Sequence, residues 1–296
     1  MRLFRSAMLL SLVSCTGDHA AIQELDFEQI RQITGVEGTI NDGQYKISVP
    51  QPSLDVTVDG FKIIPAMGLT SWAAFASAPE GATVMGDLVV LETEIGAVEG
   101  ALVEAGLTVT ALHNHFVRDN PKVMFMHIGG VGPAAQLARG VRKALDEIER
   151  MRQGRDSSAA SSVESTFDTQ EIDRILGHRG GLNNGVYKVT IGRPDVELVD
   201  HGVEVTSFMG FNTWAAFQGI PERTAVAGDF VMLEHEVASV IQSLVKNNIE
   251  VVALHNHMVH EQPRVFFLHY WGVGPSKELS EGLREALDQT GTGREE

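Results

Sequence analysis

Ala111-Leu112-His113-Asn114-His115 recurs letter for letter as Ala253-Leu254-His255-Asn256-His257, 142 positions further along. Outward from that string the same offset places Gly86-Asp87 on Gly228-Asp229 and Trp72-Ala73-Ala74-Phe75 on Trp214-Ala215-Ala216-Phe217. It also places Met67-Gly68 on Met209-Gly210, and Gly130-Val131-Gly132-Pro133 on Gly272-Val273-Gly274-Pro275. The match holds without a gap from Asp26/Asp168 to Asp146/Asp288, with roughly 40% of positions identical, so the chain is a tandem duplication. Each copy spans about 120 residues, which is the size of a domain rather than of a solenoid unit. The expected layout is a first repeat domain at 26–150, a linker at 151–167 and a second repeat domain at 168–290. The linker carries the Ser/Ala-rich run 155–162.

Both copies give one pattern of elements. Ile30 and Ile33 mark a short helix ended near Gly35, and Ile172, Ile175 and Gly177 repeat it. Asn41-Asp42-Gly43 and Asn183-Asn184-Gly185 are turn signals before Tyr45-Lys46-Ile47 and Tyr187-Lys188-Val189. Residues 54–64 and 84–91 read as strands, and Ile95, Val98 and Leu102 place an amphipathic helix over about 93–105. Strands follow at 107–115 and 123–129. Pro133 then opens a helix with Leu137, Val141, Leu145 and Ile148 on one face. The order α-β-β-β-α-β-β-α gives an α+β fold: two homologous tandem domains, each an antiparallel or mixed sheet with packed helices.

Six of the eleven histidines occupy three positions shared by the copies: His113, His115 and His127, matched by His255, His257 and His269. Alternate residues of a strand share a face, so His113 and His115 point together. If His113 pairs with His127, His115 opposes Phe125 and residues 118–122 form a five-residue hairpin loop. Cross-strand Cβ atoms would then lie about 4.5–5.5 Å apart, and three imidazoles would converge within each copy. Such a trio suits zinc or another divalent transition metal. The alternative is that these rings are core or rim residues satisfied by backbone carbonyls. A slip of one residue would turn His127 to the other face.

Asp87 and Asp229 are the acidic candidates beside these trios. Each follows a glycine inside an apolar strand, where a carboxylate is costly unless paired, although a turn or bulge at Gly86 would expose it. Glu92/Glu234 and Glu94/Glu236 stand at a predicted helix start, where a carboxylate complements the macrodipole without any catalytic purpose. Trp72 and Trp214 form either an aromatic pocket wall or, as the plainer reading, the core packing of a short helix. Gly130-Val131-Gly132-Pro133 lacks the phosphate-loop lysine and the dinucleotide glycine spacing and reads as a strand-to-helix turn, so no nucleotide cofactor is expected. A Gly-x-Ser-x-Gly elbow is absent.

With 39 acidic against 23 basic residues the formal net charge is −16. That argues against nucleic acid as a partner, because phosphate binding needs a basic surface. Arg2 and Arg5 precede a short apolar stretch, Ala7 to Val13, which ends at Leu12-Val13-Ser14-Cys15. This is the layout of an export signal. Its end resembles the bacterial lipobox, which would make Cys15, the sole cysteine, the site of lipidation. Residues 1–14 are then a lipoprotein signal peptide, 15–25 a tether, and the membrane a partner through the lipid anchor. Thr16 in place of an Asp favours the outer membrane in a Gram-negative cell envelope.

The Gly-Asp strand, Ala-Leu-His-Asn-His and Pro263-Arg264-Val265-Phe266-Phe267-Leu268-His269-Tyr270-Trp271-Gly272 together resemble the LppY/LpqO lipoprotein family over about residues 26–290. The resemblance implies tandem domains and export, and no particular activity. Copy one departs from it with Met126-His127-Ile128-Gly129-Gly130. Two function classes follow from the residues. One is an envelope protein that binds a metal ion or small ligand through its His clusters. The other is a metal-dependent hydrolase of an envelope polymer, peptide or small ester. In the second, three histidines leave an open position on zinc and Asp87 or Asp229 is the general base.

Overall fold

A computed structural model describes residues 24–154 and 162–292. The first repeat runs α1 (Phe27–Thr34), β1 (Gly38–Asn41), β2 (Gln44–Pro50), β3 (Val56–Val58), β4 (Phe61–Ile63), β5 (Thr70–Ala78) and β6 (Gly81–Leu91). It continues through α2 (Ile95–Glu104), β7 (Thr108–His113), β8 (Val123–Gly132) and α3 (Ala134–Met151). The second repeat follows the same order. It runs α4 (Thr169–Leu176), β9 (Gly180–Asn183), β10 (Val186–Gly192), β11 (Val199–Asp200), β12 (Val203–Glu204) and β13 (Asn212–Ile220). Then come β14 (Arg223–Leu233), α5 (Val237–Lys246), β15 (Glu250–His255), β16 (Val265–Gly274) and α6 (Ser276–Leu287). The fold is α+β, as the alternation of elements requires. Cys15 and most of the serine-rich run lie outside the described residues.

Each repeat builds one six-stranded antiparallel sheet, ordered β1-β2-β5-β6-β8-β7 and β15-β16-β14-β13-β10-β9. The first helices start and stop by the same local chemistry. Asp26 and Asp168 cap them by accepting from the Gln29 and Gln170 amides. Gly35 and Gly177 end them at φ 69° and 75°, a left-handed conformation that glycine adopts without strain.

Side-chain alternation divides each sheet into two buried faces. In the first repeat, Tyr45, Ile47, Phe75, Val84, Leu88, Met126 and Ile128 pack under the repeat's own helices. The opposite face packs against the other repeat. Ala74, Ala76, Ala78 and Met85 meet Leu198, Val205, Met209 and Phe211 of the second repeat. Reciprocally, Val56, Val58, Phe61 and Ile63 meet Ala216, Ala225, Ala227 and Trp271. The β3–β4 arm and its counterpart around β11–β12 thus cover each other's sheets. The Trp72 segment, read above as a short helix, is strand β5. Its residues alternate between these two buried faces, so its small apolar run carries no visible period-two polarity.

Candidate metal centre between the repeats

On the inter-repeat face of the first sheet, one row of cross-strand neighbours reads Ser48, Trp72, Asp87, His127. The second sheet carries Thr190, Trp214, Asp229, His269 in the same order. Gly86 is part of the regular ladder, paired with Ala73 and Ile128, so no bulge carries Asp87 to solvent. Asp87 is only 4% exposed and Asp229 only 3%.

The expected pairing of His113 with His127 is corrected. Ala111 faces His127, and His113 faces Phe125. Likewise Ala253 faces His269, and His255 faces Phe267. The tight five-residue loop does not form, because residues 114–122 reach sideways instead. Asn120 bridges to Thr57, and the Asp119 carboxylate accepts the Val123 amide at 2.8 Å. The shift is an even number of residues, so His113 keeps its face and becomes a diagonal neighbour of His127, ring centroids 4.9 Å apart.

The larger correction concerns the number of clusters. All six histidines converge in one place, across the boundary between the repeats. His113 stacks on His255 at 3.8 Å, His115 on His269 at 3.7 Å, and His127 lies 3.9 Å from His257. The last two distances are equivalents under a twofold exchange of repeats, as are the His113–His115 and His255–His257 separations, both 5.1 Å. Ligand atoms within 4.8 Å of one another group as His113, His115 and His269; His113, His127 and His255; and Asp229, His255 and His257. Two of these groupings mix the repeats, so the separate trios expected from the sequence are replaced by shared ones.

Second contacts orient the rings. His127 Nδ1 donates to the Gly86 carbonyl at 3.1 Å and His269 Nδ1 to the Gly228 carbonyl at 3.0 Å, which turns each Nε2 lone pair inward. His115 Nε2 and His257 Nε2 lie 3.5 and 3.6 Å from Asp87 and Asp229. Burial, followed by the neighbouring imidazoles, holds His113 and His257 well below the usual range. Burial likewise lowers His115, His127, His255 and His269. Burial pushes Asp87 up and Asp229 well up. Neutral imidazoles are the state a metal requires.

Nine imidazole nitrogens of these six residues, with Asp87 Oδ1 and Asp229 Oδ1, are buried without a hydrogen-bond partner among the described residues. An unsatisfied buried polar atom costs about 1–3 kcal/mol. Nine would rival the whole stability of a domain, about 5–15 kcal/mol. Core histidines satisfied by carbonyls therefore account for two of the six rings and leave the rest unexplained.

Above the cluster lies a cleft of about 500 Å³ lined by four of the histidines, both aspartates, Trp72 and Trp214. The tryptophans thus form the walls of a pocket. Lys46 and Lys188, which were read from the sequence only as strand residues, also line it. Their signal was their retention at the 142-residue offset, on the same face as the tryptophans. Glu94 and Glu236 belong elsewhere. Each accepts the backbone amide of the last residue of the preceding strand, Leu91 or Leu233, and is held by a buried arginine, Arg152 and Arg193 respectively.

Among solved structures, the chain is similar to EtuB from Clostridium kluyveri at 10% identity, with a TM-score of 0.20 and coverage of 86% of this chain and 90% of that one. The trimeric bacterial microcompartment shell protein PduB gives 11% identity, a TM-score of 0.20 and coverage of 86% and 89%. These overlaps are too loose to define a shared fold. A search among curated proteins gave no match. The matches that decide the relationship are two successive ones, at residues 28–147 and 170–289, and by them the chain belongs to the family described as Domain of Unknown Function (DUF1259).

Proposed function

We propose that the protein binds a divalent transition metal, zinc being the best fit, at the six-histidine cluster between its repeats. The observation that carries this reading is the convergence of nine unpartnered, buried imidazole nitrogens from both repeats. Imidazole ligands with a second ring nitrogen held by a backbone carbonyl suit such a metal. The metal would satisfy ring nitrogens that have no hydrogen-bond partner among the described residues. Export as a lipoprotein through Cys15, in the manner of the LppY/LpqO proteins, completes the proposal and places the centre in the cell envelope.

A hydrolytic role rests on one observation of its own. Asp87 and Asp229 line an open cleft beside the imidazoles, and burial raises their affinity for a proton. A carboxylate so placed is able to take a proton from a water molecule in that cleft. Binding remains the primary reading, because the ligand-type nitrogens outnumber any acid–base pair.

Elemental analysis of the purified protein tests the reading, with wild type beside His255→Ala/His257→Ala. Wild type should contain metal. The variant should lose most of it, since His255 takes part in two of the three ligand groupings. Wild type free of Zn, Mn, Fe, Ni and Cu, with no uptake on titration, would overturn the proposal.

A further inference from the structure

Two ammonium groups converge on the cleft above the histidines, one from each repeat. Lys46 Nζ sits over the Trp72 ring at 4.1 Å and donates to the Phe208 carbonyl at 3.0 Å. Lys188 Nζ sits over the Trp214 ring, also at 4.1 Å. Neither lysine has a carboxylate within ion-pair distance among the described residues, whereas the two aspartates of the cleft lie against imidazoles. Two like charges facing one desolvated space repel each other. Burial pushes both lysines down to about 8, and for Lys188 the field of Lys46 is the next cause, opposed more weakly by the Asp229 carboxylate beyond ion-pair distance. The fold keeps this costly arrangement and fixes each ammonium on an indole face, where a cation is held without being neutralised.

We propose that the cleft binds a small anion bearing two or more charged oxygens, gripped between Lys46 and Lys188 with its far end toward the histidine centre. The inference deepens the metal reading and rests on it for what the anion approaches. The grip itself depends only on the lysines. An anion between the ammoniums replaces repulsion by two charge-assisted hydrogen bonds. The cleft volume of about 500 Å³ leaves room for a short carbon skeleton. The chemistry is shared by organic dicarboxylates and by inorganic oxyanions.

The test uses the full chain loaded with zinc, its zinc content measured in the same samples. Inorganic phosphate and succinate are titrated by calorimetry and by tryptophan fluorescence. Wild type should bind at least one of them. Lys46→Met and Lys188→Met should each weaken binding about 10-fold, the loss expected for one charge-assisted hydrogen bond. Lys46→Arg/Lys188→Arg should restore it, which shows that charge rather than folding was lost. Binding of phosphate alone would identify an inorganic oxyanion, and of succinate alone an organic diacid. The proposal is overturned if wild type binds neither at about 1 mM, or if Lys46→Met/Lys188→Met binds as tightly as wild type. Zinc present without anion binding sinks this inference and spares the metal centre. Lysine-dependent anion binding without zinc does the reverse.

Discussion

Protonating the six central histidines should unfold the metal-free protein in mild acid. Burial holds all six below their ordinary value of 6.5, and the neighbouring imidazoles lower five of them further, His127 being the exception. The unfolded chain therefore binds protons below that pH and the folded chain does not. Stability is complete above about 6.5 and falls as the pH drops, by up to about 1.4 kcal/mol per histidine per pH unit. Six histidines give a limiting slope of about 8 kcal/mol per unit. Asp87 and Asp229 oppose it, because burial raises their affinity for protons in the folded state. At the same slope they return at most about 2.7 kcal/mol per unit, leaving about 5. Against a total stability of about 5–15 kcal/mol, that unfolds the apo chain about one to three units below 6.5. The assay is urea unfolding of chelator-treated protein at pH 7.5 and pH 5.5, followed by near-ultraviolet circular dichroism. Equal midpoints at the two pH values would refute the burial of six neutral rings.

Three further outcomes follow. Arg152→Met should cost about 3–5 kcal/mol in unfolding experiments, because it strands the Glu94 carboxylate, which is 1% exposed, while metal content stays unchanged. Gly86→Ala should lower the melting temperature sharply, since a Cβ there would press on the Trp72 carbonyl oxygen in the middle of the ladder. Cys15→Ser should move the protein from the membrane to the soluble fraction on cell fractionation. Unchanged membrane association would defeat the lipid anchor.

Strand parity carried the sequence reading some distance. It put His113 and His127 on one face, and the even register shift preserved that. The register itself was not legible, because the pairing of Asn120 with Thr57 depends on an arm whose position only the folded chain reveals. The merging of two histidine trios was hidden for a different reason. An offset comparison treats each copy alone, and nothing in either copy says that its second sheet face meets the other. The alanines of β5 were an indirect sign. A strand that is small and apolar on both sides expects neighbours on both sides, yet it lacks the alternation by which strands are recognised. Lys46 was read only as part of a strand because its role appears when Trp72 and the opposite repeat are both in place.

The approximate twofold axis through the histidine cluster has a consequence for how such a centre can change. One repeat alone carries half a site, so an unfused ancestor of this architecture would have had to dimerise to complete it. Covalent fusion makes that encounter intramolecular and independent of concentration. It also frees the halves from obligatory identity. In a homodimer every substitution appears twice around the axis, whereas here Ala66 on one wall of the cleft is matched by Phe208, at the same position of the other repeat, on the opposite wall. The chain is thereby able to keep six shared histidines and still give one side of the centre a chemistry that the other lacks.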